Sequence, residues 1–344
     1  MEYRLLGRSG CVVSTLALGT MTFGAETSEE ESYRQLDHFF EAGGTFVDCA
    51  DVYGTGTSEE IVGRWAARHP TVRGQMVLAT KGRFAMGAGP NDVGLSRLHL
   101  CSALEDSLRR LQVERIDLYQ VHAFDPLTPI EETLQFLDDA TRQGKVHYVG
   151  LSNFTGWQVQ KTLAIADARH FARPLTLQQQ YNLLARENEW EVIPSCQAEG
   201  LGILPWSPLG GGWLTGKYQR DEQPTGANRL GEGKRNGVEA FVKRNPAQRT
   251  WDVISALGEV AKGRSKSLAQ VALSWLGDRP AVTSVILGAR TIEQLEDNLG
   301  SAGMHLSPEE AELLNKASAP DTPDYPYGAG GTSQRSRALP GPSR

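Results

Sequence analysis

The chain has 344 residues, 40% of them hydrophobic, so it can bury a large core and fits one big α/β domain or two ordinary ones. Its formal net charge is -6, from 35 basic and 41 acidic residues that form no basic run. This balance gives little electrostatic support for a nucleic acid or an anionic membrane as a partner, and it favours a small-molecule ligand.

The cysteine pattern and the lack of long apolar runs narrow the class of protein. The four cysteines are far apart with no C-x-x-C pair, which indicates neither a zinc knuckle nor a disulfide framework. No apolar run approaches the ~20 residues of a membrane helix, and the N-terminus MEYRLLGRSG lacks the apolar stretch of a signal peptide. We expect a soluble, cytoplasmic protein with reduced thiols, no metal site and no membrane partner.

The N-terminal region predicts a hairpin followed by the first strands and helix. In residues 3–14 the turn sequence RSG separates two short apolar runs, which predicts a hairpin that covers the bottom of the domain. A strand at 16–18 and a helix at 28–44 follow, the helix opening at a capping box from Ser28 and closing at a Gly-Gly pair. Residues 45–47 are then strand-like.

Strands and helices alternate along the rest of the chain. We predict helices from about 58, at 97–111, 131–143, 155–168 and 188–198, and strands at 76–80, 116–121, 146–151, 175–179, 203–205 and 284–287. Such alternation means right-handed βαβ units and a parallel sheet, and eight units predict a closed (β/α)₈ TIM barrel.

The barrel is predicted to be one domain, residues 1–328, with long loops at its C-terminal face. Residues 207–249 form a polar, Gly-rich insertion of a length that is usually functional or disordered, and 82–95 form a shorter one. Residues 329–344 are rich in Gly, Pro, Ser and Arg and predict a flexible C-terminal tail.

The stretch TFVDCADVYGTGTSEE at residues 45–60 has two possible functional interpretations, a glycine loop that binds a dinucleotide or a site of acid/base chemistry. Gly54-Thr55-Gly56 resembles the opening of a dinucleotide-binding glycine loop, but that fingerprint needs a third glycine where Glu59 stands. A glutamate there would also repel a pyrophosphate. We therefore favour acid/base chemistry by Asp48 and Tyr53.

Chemically capable side chains stand at the C-terminal end of nearly every predicted strand, and in a parallel barrel those ends converge on one mouth. Taken singly, Lys81 suits a solvated strand end, His122 a core histidine and Asp48 a loop cap, but their joint occurrence on consecutive strands favours a site. The residues at or near these ends are Asp48, Lys81, His122, Ser152, Asn153, Gln178, Trp206, Gly288, Ala289 and Arg290.

Asp, Tyr, Lys and His together suit the protonation of a developing oxyanion. A tyrosine has an ordinary pKa of ~10, and lowering it by about three units takes roughly 4 kcal/mol, which a nearby ammonium can supply. Lys81 would lower the pKa of Tyr53, Asp48 would hold Lys81, and His122 would orient the substrate's carbonyl oxygen or share its proton. The set predicts carbonyl reduction, provided that hydride comes from elsewhere.

At this point a family resemblance becomes evident. The segments FVDCADVYGTGTSEEIVGRW, LRRLQVERIDLYQVH, GKVHYVGLSNF, LQQQYNLLAR, LPWSPLGGGWLTGKY and VILGARTIEQLEDNL occur in this order. In them the chain resembles the aldo-keto reductases, in particular the bacterial branch related to potassium-channel β-subunits, over all but the C-terminal tail. It departs at Cys49, where Thr or Ser is common, and at Gln179-Gln180, where Asn-Glu is common; Cys49 is either a redox-sensitive thiol or a buried spectator.

The resemblance implies NADP as cofactor and a role for each matching residue. Tyr53 would be the general acid of a catalytic tetrad with Asp48, Lys81 and His122. The cofactor residues divide into a nicotinamide set, a pyrophosphate set and an adenosine-phosphate set: respectively Ser152, Asn153, Gln178 and Trp206; Ser207, Leu209, Gly210, Gly211 and Lys217; and Gly288, Arg290, Gln294 and Asn298.

The choice of NADP over NAD depends on the region around Arg290. Thr291-x-x-Gln294 predicts a helix start with free N–H groups for an anion, Arg290 adds a planar cation, and no ribose-binding carboxylate is evident. We expect an NADPH-dependent reductase of an aldehyde or ketone, with Tyr53 as proton donor. Phe23, Phe84, Phe124 and Trp213 suggest an apolar pocket, while the physiological substrate and the oligomeric state are not predicted.

Two other functions stay open from the residues and the resemblance. One is an NADP(H)-binding redox sensor or regulatory subunit with slow turnover. The other is a barrel lyase that uses Lys81 as a Schiff-base amine.

Overall fold

The structure, a computed structural model, describes residues 1–222, 224, 230, 239 and 241–335. Two antiparallel strands form a small hairpin sheet, and eight parallel strands form the main sheet. The hairpin strands are β1 (Tyr3–Leu5) and β2 (Val12–Ser14). The main-sheet strands are β3 (Leu16–Gly19), β4 (Phe46–Asp48), β5 (Val77–Gly82), β6 (Ile116–Val121), β7 (Val146–Ser152), β8 (Thr176–Gln180), β9 (Gly202–Trp206) and β10 (Val285–Leu287).

The eight strands curl into a ring. Their order is β10-β3-β4-β5-β6-β7-β8-β9, and each neighbouring pair is parallel. The ring closes just before β10, where Ile203 N donates to Ala281 O at 2.7 Å and Thr283 N donates to Ile203 O at 2.9 Å. The predicted (β/α)₈ TIM barrel with an N-terminal hairpin is confirmed.

Helices connect the strands and cover the outside of the barrel. Their bounds are α1 (Glu29–Glu41), α2 (Thr57–Arg68), α3 (Pro70–Arg73), α4 (Arg97–Leu111), α5 (Ile130–Arg142), α6 (Gly156–Arg169), α7 (Val192–Glu199), α8 (Phe241–Arg244), α9 (Gln248–Arg264), α10 (Leu268–Gly277), α11 (Ile292–Leu299), α12 (Pro308–Ser318) and α13 (Ala329–Arg335). Of these, the longer helices α9, α10 and α12 and the short helices α3, α8 and α13 lie where the sequence predicts no helix. Among the described residues, none of the helices combines the length and apolarity needed to cross a membrane.

Two apolar cores follow from the alternation of side chains along each strand. On β3, Leu16 and Leu18 belong to the large core between sheet and helices, whereas Ala17 belongs to a smaller core inside the barrel. Hairpin residues Leu6 and Val13 are fully buried in that inner core, so the hairpin plugs the N-terminal end of the barrel. The other, C-terminal end is left open for a site.

The insertion and the tail are only partly described. The insertion at 207–249 begins with a 3₁₀ segment, Gly210–Thr215, and ends in α8 and the start of α9. Its residues 223, 225–229, 231–238 and 240 lie outside the described residues. The predicted flexible tail, 329–344, contains the short helix α13, and its residues 336–344 lie outside the description.

Candidate active site

The inward-facing positions of the barrel strands turn from apolar to polar near the open end. Phe46 on β4 and Ala79 on β5 lie in the inner core. Two positions further on, Asp48 and Lys81 point the same way because strand side chains alternate. Leu118 on β6 leads in the same manner to Gln120 and then to His122. Because every second side chain of a strand points into the barrel, Asp48, Lys81, Gln120 and His122 come together near its open end.

A cavity of about 920 Å³ opens at this end of the barrel. Its lining includes most of the predicted site residues, namely Asp48, Tyr53, His122, Asn153, Gln178, Trp206, Ser207, Leu209, Gly211, Lys217, Gly288, Arg290, Gln294 and Asn298. Lys81, Ser152 and Gly210 are buried and absent from that lining. Lys81 therefore acts on anything in the cavity only through Asp48 and Tyr53.

Lys81 is held at the centre of the four predicted catalytic residues. Its ammonium donates to Asp48 Oδ2 at 2.6 Å, to the backbone oxygen of Cys49 at 2.6 Å and to Tyr53 Oη at 3.3 Å. The rings of Tyr53 and His122 meet edge to face with centroids 5.9 Å apart. The three donors of the ammonium are thereby satisfied, which fixes its place beside the phenol.

The charge on Lys81 is kept although its side chain is fully buried. Burial alone would lower the pKa of Lys81, but the charge of Asp48 and the neighbouring Tyr53 raise it above the ordinary value. Asp48 is itself held through its second oxygen, which accepts from Gln178 Nε2 at 2.8 Å and Gln120 Nε2 at 3.2 Å. The pair is a fixed ammonium carboxylate unit, of which Asp48 lines the cavity and Lys81 does not.

The pKa of Tyr53 does not fall as the sequence predicts. Burial raises the pKa of Tyr53 more than the charge of Lys81 lowers it, so the net direction is upward from the ordinary value. The prediction of a net lowering is wrong because it counted the ammonium and not the depth of burial. Near neutral pH the phenol keeps its proton.

His122 is a neutral imidazole in this setting. Burial, Lys81 and Arg83 together lower the pKa of His122 to about 2. Its Nδ1 atom is buried and has no hydrogen-bond partner among the described residues. A neutral ring can orient a carbonyl oxygen, whereas it holds no extra proton to share at ordinary pH.

Asn153 and Trp206 are locked together at the cavity wall. Asn153 adopts a left-handed backbone conformation with φ of 56°. Its amide donates to His122 O at 2.9 Å, and its oxygen accepts from Trp206 Nε1 at 3.0 Å. The indole ring of Trp206 is therefore presented to the cavity in one orientation, with Ser152 bonded to Asn153 behind it.

Glycines shape the wall that follows β9. Gly211 and Gly212 have φ of 66° and 98°, so an L side chain at either position would be strained. A Cβ on Gly212 would also collide with the side chain of Lys217, which lines the same wall. The chain can approach a ligand closely there, next to a lysine.

The start of α11 differs from its prediction. Ile292 N donates to Glu31 Oε1 at 2.6 Å, Gln294 N to Thr291 Oγ1 at 3.4 Å, and Arg290 N to Gln294 Oε1 at 3.0 Å. The prediction of free N–H groups here is wrong for Ile292 and Gln294, because a carboxylate from α1 and the Thr291 hydroxyl already accept from them. Three carboxylates that the sequence does not predict for the site also line the cavity at this end: Glu26, Glu293 and Asp297.

Several other expectations are decided by burial. Of the aromatic residues predicted for the pocket, Phe84 lines the cavity, whereas Phe23 and Trp213 are fully buried in the core and Phe124 packs against Phe154 and Trp157. Cys49 is fully buried, and burial raises the pKa of its thiol to about 12, which favours a buried spectator over a redox-sensitive thiol.

Sequence reasoning also missed Gln120, Met21, Val52 and Glu26. Gln120 bonds Asp48, and the signal that could have found it is a polar residue at the inward-facing position between Leu118 and His122. The other three lie in loops that lack periodicity and line the cavity.

A family model and several known proteins match most of this chain. The model of the aldo/keto reductase family matches residues 15–319. The uncharacterized oxidoreductase YrpG of Bacillus subtilis is 38% identical, covering 92% of this chain and 95% of its own. A probable voltage-gated potassium channel subunit beta of Oryza sativa subsp. japonica is 35% identical, covering 87% and 90%. Versiconal hemiacetal acetate reductase of Aspergillus parasiticus is 32% identical, covering 93% and 98%.

Proposed function

The chain belongs to the aldo/keto reductase family, and on that premise we propose that it is an NADPH-dependent reductase that converts an aldehyde or ketone to the alcohol. The family and its oxidoreductase relatives support a general carbonyl-reductase role. The observation that carries the finer proposal is the buried ammonium of Lys81, which lies between Asp48 and the cavity-lining phenol of Tyr53 at 2.6 Å and 3.3 Å.

The cavity fits a dinucleotide in size and in chemistry. Its volume of about 920 Å³ is large, within the range of roughly 300–1,000 Å³ typical of ligand pockets. Trp206 would stack on the nicotinamide, with the neighbouring amides Asn153 and Gln178 and the buried Ser152 near its carboxamide. Lys217 and the loop Ser207, Leu209, Gly210 and Gly211 would hold the pyrophosphate, and Gly288, Arg290, Gln294 and Asn298 the adenosine phosphate. When bound, the reduced nicotinamide supplies hydride to the carbonyl carbon.

The residues of the chain would manage the proton. Tyr53 Oη, which keeps its proton because its pKa is raised, donates it to the carbonyl oxygen. The phenolate that remains lies beside the Lys81 ammonium, which stabilises the negative charge once it forms. Neutral His122 orients the carbonyl oxygen toward Tyr53.

The wall beside the tetrad favours an uncharged carbonyl compound. Phe84 contacts His122 edge to face with ring centroids 4.7 Å apart. Val52 adjoins Tyr53 in the chain, and both Val52 and Met21 line the cavity. An apolar wall next to the proton donor suits aliphatic or aromatic aldehydes and ketones better than sugar acids.

Replacing Tyr53 by Phe tests the role of the phenol. The variant removes the donor oxygen and leaves the ring, so we expect turnover of a good aldehyde to fall by more than about 100-fold, the scale of general acid catalysis. NADPH affinity, followed by nucleotide fluorescence, should change by less than about threefold. Undiminished turnover in the variant would contradict the proposal.

Similarity to a potassium channel subunit beta favours a second candidate, a redox sensor or regulatory subunit with slow turnover. A panel of aliphatic, aromatic and sugar-derived aldehydes, assayed by NADPH absorbance, separates the two. Turnover far below the about 1 s⁻¹ at the low end of ordinary enzymes, for every carbonyl, would favour the sensor.

The burial of Lys81 argues against a Schiff-base lyase. The side chain is 0% exposed, its ammonium has three partners and its pKa is raised. A Schiff-base amine must lose its proton and meet the substrate. Borohydride trapping with a carbonyl substrate should therefore label nothing at Lys81.

A further inference from the structure

Glu26 and Arg290 form an ion pair across the wall of the cavity. Arg290 Nε lies 3.1 Å from Glu26 Oε2, and both residues line the cavity. Glu26 belongs to the loop after β3, and Arg290 to the loop after β10, so the contact joins segments 264 residues apart. This pair is at the end of the site that holds Gln294 and Asn298.

The backbone holds the two side chains in this arrangement. Thr22 Oγ1 donates to Ala289 O at 3.0 Å, and Thr27 Oγ1 donates to Arg290 O at 3.3 Å. Because these bonds flank Glu26 on both sides, its loop is tied to the loop of Arg290. Glu26 is therefore a fixed neighbour of the guanidinium.

The cation at this end matters more because two N–H groups at the start of α11 already have acceptors. Its first amide, Ile292 N, donates to the carboxylate of Glu31, and Gln294 N donates to Thr291. Among the described residues at this end of the cavity, the cation available to an entering anionic group is the guanidinium of Arg290. That guanidinium already has a carboxylate partner in Glu26.

We propose that Glu26 is a specificity-determining residue that limits the preference of this site for a 2′-phosphorylated dinucleotide. The inference rests on the proposed function. A 2′-phosphate carries about 1.5 to 2 negative charges, so it must displace Glu26 from Arg290 and then remain near that carboxylate. NADH presents a neutral ribose hydroxyl, which neither competes for Arg290 nor is repelled by Glu26.

Glu26→Gln removes the competing charge and keeps the size of the side chain. We expect NADPH to bind about two- to fivefold tighter, a range set by an exposed ion pair that no longer has to be broken. NADH affinity should change by less than about twofold. Glu30→Gln, an exposed residue on α1 outside the cavity lining, controls for the loss of one charge.

Binding to the apoprotein is measured with nucleotide fragments as well as with whole nucleotides. Calorimetric titration with adenosine 2′,5′-bisphosphate and with 5′-AMP isolates the 2′-phosphate from the nicotinamide end. Glu26→Gln should favour the bisphosphate by the same factor as NADPH and leave 5′-AMP unchanged. In an Arg290→Gln background the gain from Glu26→Gln should shrink, because the ion pair between Glu26 and Arg290 is already absent.

The outcomes separate this inference from the proposed function. If the wild-type protein binds NADPH and NADH but Glu26→Gln leaves their ratio unchanged, or shifts it as Glu30→Gln does, the inference fails alone. An equal gain with and without Arg290 would also overturn it. If the wild-type protein binds neither nucleotide, the proposed function fails and the inference with it.

Discussion

A buried carboxyl beside the active site makes a sharp prediction about stability and pH. Asp51 is 0% exposed, and neither of its carboxyl oxygens has a hydrogen-bond partner among the described residues. The nearby N–H of Val52 approaches it without the geometry of a hydrogen bond. Glu59 is also fully buried, and its carboxylate accepts hydrogen bonds from Arg110 at 2.7 Å and from Thr80 at 2.5 Å.

Burial and the charge of Glu59 raise the pKa of Asp51 to about 7. Its ordinary value is ~3.9, so the shift of about three units corresponds to roughly 4 kcal/mol. Because the folded-state pKa is the higher one, the folded protein holds the proton more tightly than the unfolded chain. The stabilisation is fully present below about pH 4 and is lost as the pH rises to about 7.

Asp51→Asn keeps the shape of the protonated carboxyl and cannot ionise. Between pH 5 and pH 8 the wild-type protein should lose about 3 kcal/mol through Asp51, and the variant should not. Urea unfolding followed by tryptophan fluorescence measures the free energy of unfolding. The value for the variant minus the value for the wild type should rise by this amount between pH 5 and pH 8. Glu41→Gln, at an exposed position, is the control. If the free energy of unfolding of Asp51→Asn differs from that of the wild type by the same amount at pH 5 and pH 8, the reasoning is refuted.

Three other predictions concern the site and its cysteine. Gln120→Leu removes a bond to the carboxylate of Asp48, so turnover should fall by about tenfold while NADPH affinity holds, as measured by kcat and fluorescence titration. Since the pKa of His122 is lowered to about 2, the profile of kcat against pH should show no titration near pH 6.5. Iodoacetamide should label exposed Cys101 in the native protein and spare Cys49, as mass spectrometry will report.

The part of the site that depends on strand order could be predicted from the sequence. Asp48, Lys81 and His122 come from three consecutive strands, and a parallel barrel brings the ends of neighbouring strands together whatever the loops do. The hydrogen bonds of Lys81 agree with that placement. Their catalytic roles stay a prediction that the Tyr53 variant tests.

The part that depends on loops could not be predicted. Glu26 lies in a loop whose sequence has no helical or strand periodicity. It forms an ion pair with Arg290 because the ring of strands places β3 next to β10. Glu31 illustrates the same limit, since its sequence spacing from Ser28 predicts a capping box within α1. In the structure Ser28 accepts from Glu31 N, but the carboxylate of Glu31 reaches α11 instead.

The sign of the Tyr53 pKa shift was also beyond the sequence, and it bears on how the tetrad would work. A sequence can indicate that a lysine lies near a tyrosine, but it does not indicate how deeply the tyrosine is buried. The depth of burial decides whether the pKa is raised by burial more than it is lowered by the nearby charge. Asp48 already compensates the charge of Lys81. The ammonium therefore lowers the pKa of Tyr53 less than an unpaired ammonium would. If Tyr53 is the donor, the tetrad would keep the proton on the phenol until a carbonyl oxygen begins to take it. Because the charge of Asp48 raises the pKa of both Lys81 and Tyr53, Asp48→Asn should then lower both values, contrary to the view that Asp48 merely positions Lys81.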